Sequence, residues 1–567
     1  MSPKRLDRLL TQLEECRYHF GEGSVARAVT LLNSLATTHL PDAESLIRFH
    51  ETLLFLRAFP QGPGVVRKTE KLLNSFWKRV AELRQREVDL SSWDTFEFAG
   101  VAGTSMEDTL SFDVARWLIR HMPGKVEIAW DNFEPGREAG TVWPRLMPLL
   151  EDDAYVEADT PWRKWLEAAQ GKKGKRSASP EWLIERFEEL PLSEHDKALL
   201  YDSLRIPLRW DLGNSRVSRT RNWDRKRKVF YHTGPLISRS QVSLAEELAK
   251  RPPTFTRLSR EQGERVMDAI REIMLVRYRE LYGTTLGDPA SVVRADVGRG
   301  LSIYLWNLPP ERRLPLRAYV AGFSVKNSVP INYIEAIGLC EWMEVGFNTF
   351  YTFRGGETGW IYAQVLRCLC HLMGTTCVSV YPYQLGHDNE EAIESGAFWF
   401  YRKLGFRPGR LELLRLVESE ERKIAANPKY RTPPRTLRRL AASHVFYELP
   451  GSEMGAWDQF STRTIGLRAN AQLAKESGGD GHRMRAARAV ARILRADTSS
   501  WSAVEKTSLE NFAVALALVC DLPSWSRDEK DSLAQIIRAK AARDEMKYLH
   551  LMQRHARLRS ALLTIGS

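Results

Sequence analysis

Between residues 347 and 408 an aromatic, branched stretch (FNTFYTF) runs into a glycine-rich turn, RGGETG at 354–359, that opens directly into an apolar helix pattern. Such a turn lets main-chain amides approach an anion without interference from Cβ atoms, and the following helix presents its positive end there. The shape suits a pyrophosphate, with Arg354, Gly355, Gly356, Thr358, Gly359 and Trp360 at its entrance. Other chemistries are poorly served. Cys368 and Cys370 are two apart on the expected helix and face different ways, with His371 the single neighbouring ligand, which makes a poor zinc site. His387 beside Asp388 reads as a turn residue. No Ser or Cys stands in a nucleophile elbow and no Gly-Lys-Ser phosphate loop occurs, which disfavours hydrolase and nucleoside triphosphatase chemistry.

The elements that must carry the turn follow from periodicity. Ile361, Val365, Leu369 and Leu372 form one apolar stripe of a helix that Gly374 stops. A short strand is expected at 377–381, and Asp388 with Glu391 has capping-box spacing before the next helix. Its last turn is Phe398, Trp399, Phe400 and Tyr401. Upstream, Leu301, Ile303 and Leu305 alternate with Ser302, Tyr304 and Trp306, and 316–323 and 347–353 are also strand-like. Between them, Ile331, Ile334 and Ile337 are spaced as in a helix. Strands are expected near 411–416 and 444–449, separated by a charged insertion at 418–440 in which Arg431, Arg435, Arg438 and Arg439 offer to guide an acidic ligand.

The segment AFWFYRKLGFRP at 397–408 resembles the hallmark of the GNAT acyltransferase superfamily, in which an Ala-x-x-aromatic-Tyr helix enters a Leu-Gly-Phe turn. The turn at 354–359 is similar to that family's acyl-CoA pyrophosphate loop, with Arg354 and Gly359 in register. Glu357 stands where the loop's first glycine belongs and brings a negative charge, and Glu394 stands where many members have Asn. The likeness covers at most about 160 residues and is densest over the last fifty. It implies a mixed sheet splayed between two strands, an acyl-CoA thioester in the notch, an amine acceptor and direct transfer without a covalent enzyme intermediate. It also implies Tyr401 as the acid that protonates the departing thiolate. Glu335, Glu341 and Glu344, in INYIEAIGLCEWMEVG just upstream, are carboxylates able to draw the ammonium proton directly or through water; Glu341 and Glu344 are the preferred pair.

The 567 residues, 43% hydrophobic and 27% charged, suffice for several domains. The expected class is α/β (α+β): a helical domain at 1–90, a mixed region at 91–175, a helical and basic connection at 176–261, the GNAT-like mixed sheet at 262–450 and a helical domain at 451–567. The basic stretch 171–180 (GKKGKRSASP) reads as a linker. Eighty-three Lys and Arg against 71 Asp and Glu leave +12, which permits polyanion contact without demanding it. Arg216, Arg219, Arg221, Arg225, Lys226, Arg227 and Lys228 crowd around Trp223, a pattern suited to gripping phosphates while the indole stacks on a base. Six cysteines in so long a chain, mostly inside apolar runs, and the lack of a signal-peptide core or membrane-length apolar run suggest a reducing cytoplasm and no membrane or metal partner. The reading is thus an acetyl-CoA or other acyl-CoA dependent N-acyltransferase acting on a small-molecule or protein amine. Its rival is a non-catalytic scaffold on the same fold, binding protein or nucleic acid.

Overall fold

The computed structural model describes residues 2–148, 151, 162–171, 179–224, 228–474 and 481–567. Their contacts define two compact units, Met1–Asp224 with Tyr231–Thr233 and Asp268–Thr285, and Arg225–Phe230 with Gly234–Met267 and Leu286–Ser567. Most of the 171–180 stretch, and Arg225, Lys226 and Arg227, lie outside the described residues.

The first unit begins with helices at Pro3–Glu15, Glu22–Thr37, Ala43–Ala58, Pro63–Asn74 and Phe76–Gln85. In the second of these, Ala28, Leu31, Leu32 and Leu35 are all buried, as one apolar stripe requires. A small antiparallel sheet follows, built from β1 (Ser105–Thr109), β2 (Val126–Ile128) and β3 (Pro207–Asp211) in the order β1-β3-β2. Helices Phe112–His121 and Glu194–Leu204 pack beside it, joined by Phe112, Phe187 and Tyr201, whose rings lie 5.4–6.0 Å apart. A buried polar knot fastens the helices to the later chain: Glu51 accepts from Arg219 at 2.7 Å and lies 2.9 Å from His50, whose other nitrogen lies 2.9 Å from the Thr220 hydroxyl. Trp223 is buried, with the Arg57 guanidinium 5.8 Å over its ring, so its indole belongs to the core and is closed to base stacking.

The second unit is organised by a nine-stranded mixed sheet. Its strands are β4 (Phe255–Arg257), β5 (Val293–Gly298), β6 (Leu301–Asn307), β7 (Ala318–Lys326), β8 (Val329–Leu339), β9 (Trp342–Thr349), β10 (Cys377–Val380), β11 (Arg407–Pro408) and β12 (Val445–Glu448). From β4 to β9 they pair antiparallel in chain order; β10 then lies parallel to β9, and β12 inserts between β10 and β11. Helix Thr358–Met373 makes the β9-to-β10 crossover and ends at Gly374, whose φ of +67° is the left-handed stop that glycine supplies.

Three sequence expectations change here. The 331–341 segment is strand β8 and its turn, not a helix: it is central in the sheet and almost wholly buried, so polar residues do not mark the period-two alternation. Residues 411–416 open helix Leu411–Ala426, which buries Leu413, Val417 and Glu420 while leaving Leu411 exposed. Asn389, not Asp388, caps Glu390–Glu394, accepting from the Ala392 amide. The C-terminal helices join this unit: Leu549 and Met373 both close on Gly338 of β8, and the Tyr548 hydroxyl donates to the Leu316 carbonyl. Among the described residues no helix is long and apolar enough to cross a membrane.

Candidate functional site

β9 and β10 share only three register pairs, Trp342 with Cys377, Met343 with Val378 and Glu344 with Ser379. Beyond Glu344, β9 continues to Thr349 without β10, which instead stays paired with β12 through Val380. Main-chain groups on that margin of β9 are thus left for something other than a neighbouring strand, and an extended amide-bearing chain is the kind of ligand that fits. The gap opens toward the ends of both strands, where helix Thr358–Met373 begins.

Alternation divides the groups around the gap between two faces. Cross-strand partners share a face, so Trp342, Glu344, Gly346 and Asn348 lie with Leu339, Ile337, Glu335 and Tyr333. At the vertex, Glu344 lies 2.8 Å from His444 Nε2 and 3.6 Å from Arg317, both carboxylate and imidazole being partly open to solvent. The exposed ring of Tyr381 packs edge-on against His444 at 5.2 Å. Glu335, nearby on the same face, accepts from the Tyr319 hydroxyl. A carboxylate touching an imidazole is a ready proton acceptor with a second group to pass the proton on. Glu341 is placed in the β8–β9 turn, where it binds Arg559 and the Trp457 indole N–H at 2.6 and 2.8 Å, bonds that tie the C-terminal segment to the sheet.

The opposite face carries the helix side. Phe347 of β9 meets Tyr362 at 4.9 Å between ring centroids, and Tyr362 meets Tyr401 edge-on at 5.6 Å. Phe406 closes on both rings. Tyr401 is therefore buried in an aromatic layer behind the gap, and that burial raises its ionisation well above the usual phenol range, so it stays protonated. Glu344 thus lies on one face of the sheet beside the gap, and Tyr401 lies in the aromatic layer packed on the other.

The glycine turn is more elaborate than its sequence indicates. The amides of Thr358, Gly359 and Trp360 have no acceptor among the described residues, whereas the Gly356 amide donates to the Phe353 carbonyl and so leaves the set of free donors. Gly355 is exposed. Arg354 is engaged with Glu391 at 2.5 Å. Glu357 does not face the entrance. Its side chain is fully buried, bound to Lys326 at 2.8 Å and to Arg299, and it accepts from the Ile237 amide at 3.2 Å. The charge anticipated beside a phosphate is thus neutralised inside the fold. Burial holds the Lys326 ammonium down at about 8, against the pull of Glu357.

Comparison with protein-family models, with curated proteins and with solved structures returned no match. The site therefore rests on its own geometry. His444, Arg317, Tyr381 and Arg239, whose Cα, Cβ and Cγ lie 3.3 Å from where a Cβ on Gly359 would stand, escaped the sequence reading. His444 carried a weak signal, being the one histidine beside an expected strand of that region. Buried thiols Cys368 and Cys370 are pushed up to about 12 by burial, which removes them from nucleophilic chemistry.

Proposed function

We propose that the second unit transfers an acyl group from an acyl-CoA, most simply acetyl-CoA, to an amine. The single observation that carries this reading is the parallel pair β9–β10, joined for three residues and then parted, with free helix amides at one side and a Glu–His pair at its vertex. The strand order, with β12 inserted between β10 and β11, is the arrangement in which the resemblance of 354–359 and 397–408 to the GNAT superfamily makes sense.

In this reading the amides of Thr358, Gly359 and Trp360 receive the diphosphate, and the pantetheine arm lies along the unpaired margin of β9. Glu344, backed by His444, takes a proton from the acceptor ammonium. The freed lone pair attacks the thioester carbonyl, and the tetrahedral intermediate collapses by breaking the C–S bond. Tyr401 gives its proton to the departing thiolate, and the proton held by Glu344 and His444 returns to it through solvent. Nothing in the scheme requires a covalent enzyme intermediate.

Titration calorimetry with acetyl-CoA tests the cofactor half: saturable heat is expected, and its absence overturns the reading. Burial of Tyr401 favours one alternative, a binding module without turnover. Equal turnover by wild type and Tyr401→Phe removes the acid assignment, and acetyl-CoA binding without hydrolysis or transfer to any amine in a broad panel favours the module.

A further inference from the structure

On β8 and β9 the face that meets helix Thr358–Met373 is apolar over Ala336, Ile334, Val345 and Phe347, and then it turns polar. Asn332 is the next residue of β8 on that face, and its register partners are Ser324 of β7 and Thr349 of β9. Register partners share a face, so the three side chains form one row across three neighbouring strands. Ser324 and Asn332 are fully buried, and so is the Thr349 hydroxyl. Among the described residues, Ser324 Oγ, Asn332 Oδ1 and Nδ2 and Thr349 Oγ1 have no hydrogen-bond partner.

Two other buried asparagines of the same unit are satisfied. Asn307 donates to the Tyr319 carbonyl at 3.1 Å, and Asn327 exchanges hydrogen bonds with the Phe230 main chain at 2.7 and 3.1 Å. A buried polar atom left without a partner costs more than its bond would have gained, and this row repeats that cost along its length. Strand spacing explains why the row does not close on itself. Neighbouring strands lie about 4.8 Å apart, wider than the roughly 2.9 Å of a direct hydrogen bond. A water molecule bonded to both sides spans about 4.6 Å, close to the strand spacing. The mixture of groups also selects water: hydroxyls and a carboxamide offer donors and acceptors together, whereas a bare cation would oppose the amide N–H groups and an anion the amide oxygen.

We propose that Ser324, Asn332 and Thr349 form a buried hydration site that holds a file of about two water molecules, one between each pair of neighbours, on the helix-covered face of the sheet. The file bridges β7, β8 and β9 side by side at the level where their apolar layer ends. Thr349 lies on the margin of β9 that β10 leaves and is partly exposed, so the file ends at the gap and exchanges with solvent there. The site is independent of the acyltransferase reading and stands whether or not the gap takes an acyl-CoA.

The test uses the full chain as wild type, as Asn332→Leu, as Thr349→Val, and as the triple variant Ser324→Ala, Asn332→Leu, Thr349→Val, with circular dichroism to verify folding. Oxygen-17 magnetic relaxation dispersion, with water itself as the probe, reads the long-lived internal molecules, and native-state hydrogen exchange reads the opening of β8 and β9. The expected dispersion amplitude is lower in the triple variant than in wild type by the equivalent of about two waters. Each single variant should lose protection by roughly 5- to 30-fold, because the polar groups that remain lose their bridges, and the triple variant should recover most of that loss because no polar group is left unpaired. A dry row reverses the order, since each apolar replacement then removes an unsatisfied atom and protection holds or rises. Equal dispersion in wild type and triple variant overturns the proposal, as does unchanged or increased protection in both single variants. A loss that deepens in the triple variant assigns the row to packing and overturns it as well. If the triple variant does not fold, Thr349→Val, which keeps the shape of the side chain, decides by the same two readings.

Discussion

Replacing Glu357 by Gln tests whether the buried ion pair at the glycine turn holds the helix to the sheet. Glu357 and Lys326 are both fully buried, 2.8 Å apart, and Arg299 reaches the same carboxylate. Burial already holds Lys326 at about 8, so removing its counter-charge leaves an ammonium whose desolvation is no longer offset. Breaking a buried pair from one side costs about 3–5 kcal/mol, equivalent to roughly two to three and a half powers of ten in an opening equilibrium. Because the chain has two units and a global two-state fit is unsafe, the assay is native-state hydrogen exchange read at β7 and at helix Thr358–Met373. Glu357→Gln should lose that much protection at pH 7, and the double variant with Lys326→Met should recover most of it. The pH sign is fixed by the same shift. Between about 8 and the ordinary lysine value of 10.5 the folded state has released a proton that the unfolded state keeps, so wild-type protection rises across that window. Lys326→Met flattens the rise. Unchanged protection in Glu357→Gln, or two single effects that simply add in the double variant, refutes the coupling.

Other expectations follow from the same contacts. Glu344→Gln should lower kcat for acyl transfer by about 10²- to 10⁴-fold while leaving acyl-CoA affinity intact, measured by thiol release and calorimetry; equal losses of affinity and rate point to a structural role. Gly263→Ala should destabilise the second unit by roughly 1–3 kcal/mol, because the new Cβ would stand 1.9 Å from the Pro289 carbonyl oxygen, and a wild-type melting temperature contradicts that packing. In the first unit, burial and then Asp268 raise Glu272 to about 7. Its folded form keeps a proton that the unfolded chain has lost, so this group's contribution to stability falls as pH rises toward 7. Glu272→Gln should therefore raise the melting temperature relative to wild type at pH 8 and leave it unchanged at pH 4, and an equal shift at both pH values contradicts the assignment.

The legible parts of this chain were the local ones. The stripe of Ile361, Val365, Leu369 and Leu372, the stop at Gly374 and the short strand at 377 could be read because each depends on neighbours within a few turns. β8 could not, because burial on both faces erases the polar half of the alternation and leaves isoleucines whose three-residue spacing imitates a helix. The fate of Glu357 was equally hidden: Lys326 on β7 and Arg299 in the β5–β6 turn, which draw it inward, lie 31 and 58 residues upstream. His444 acquires meaning only beside Glu344, a hundred residues away. Side chains whose role is set by a partner across the sheet leave no periodic trace.

The two borders of the large sheet are very short. β4 spans three residues and β11 two, the last of them Pro408, which has no amide hydrogen to offer. Neither rim presents a run of free donors and acceptors long enough for another polypeptide to zip onto it. Protein recruitment by strand addition is therefore closed at those rims, and so is the route by which open sheets polymerise. A protein acceptor would have to be recognised through its side chains, leaving the parted β9 margin as the place within the sheet where an extended backbone gains hydrogen bonds.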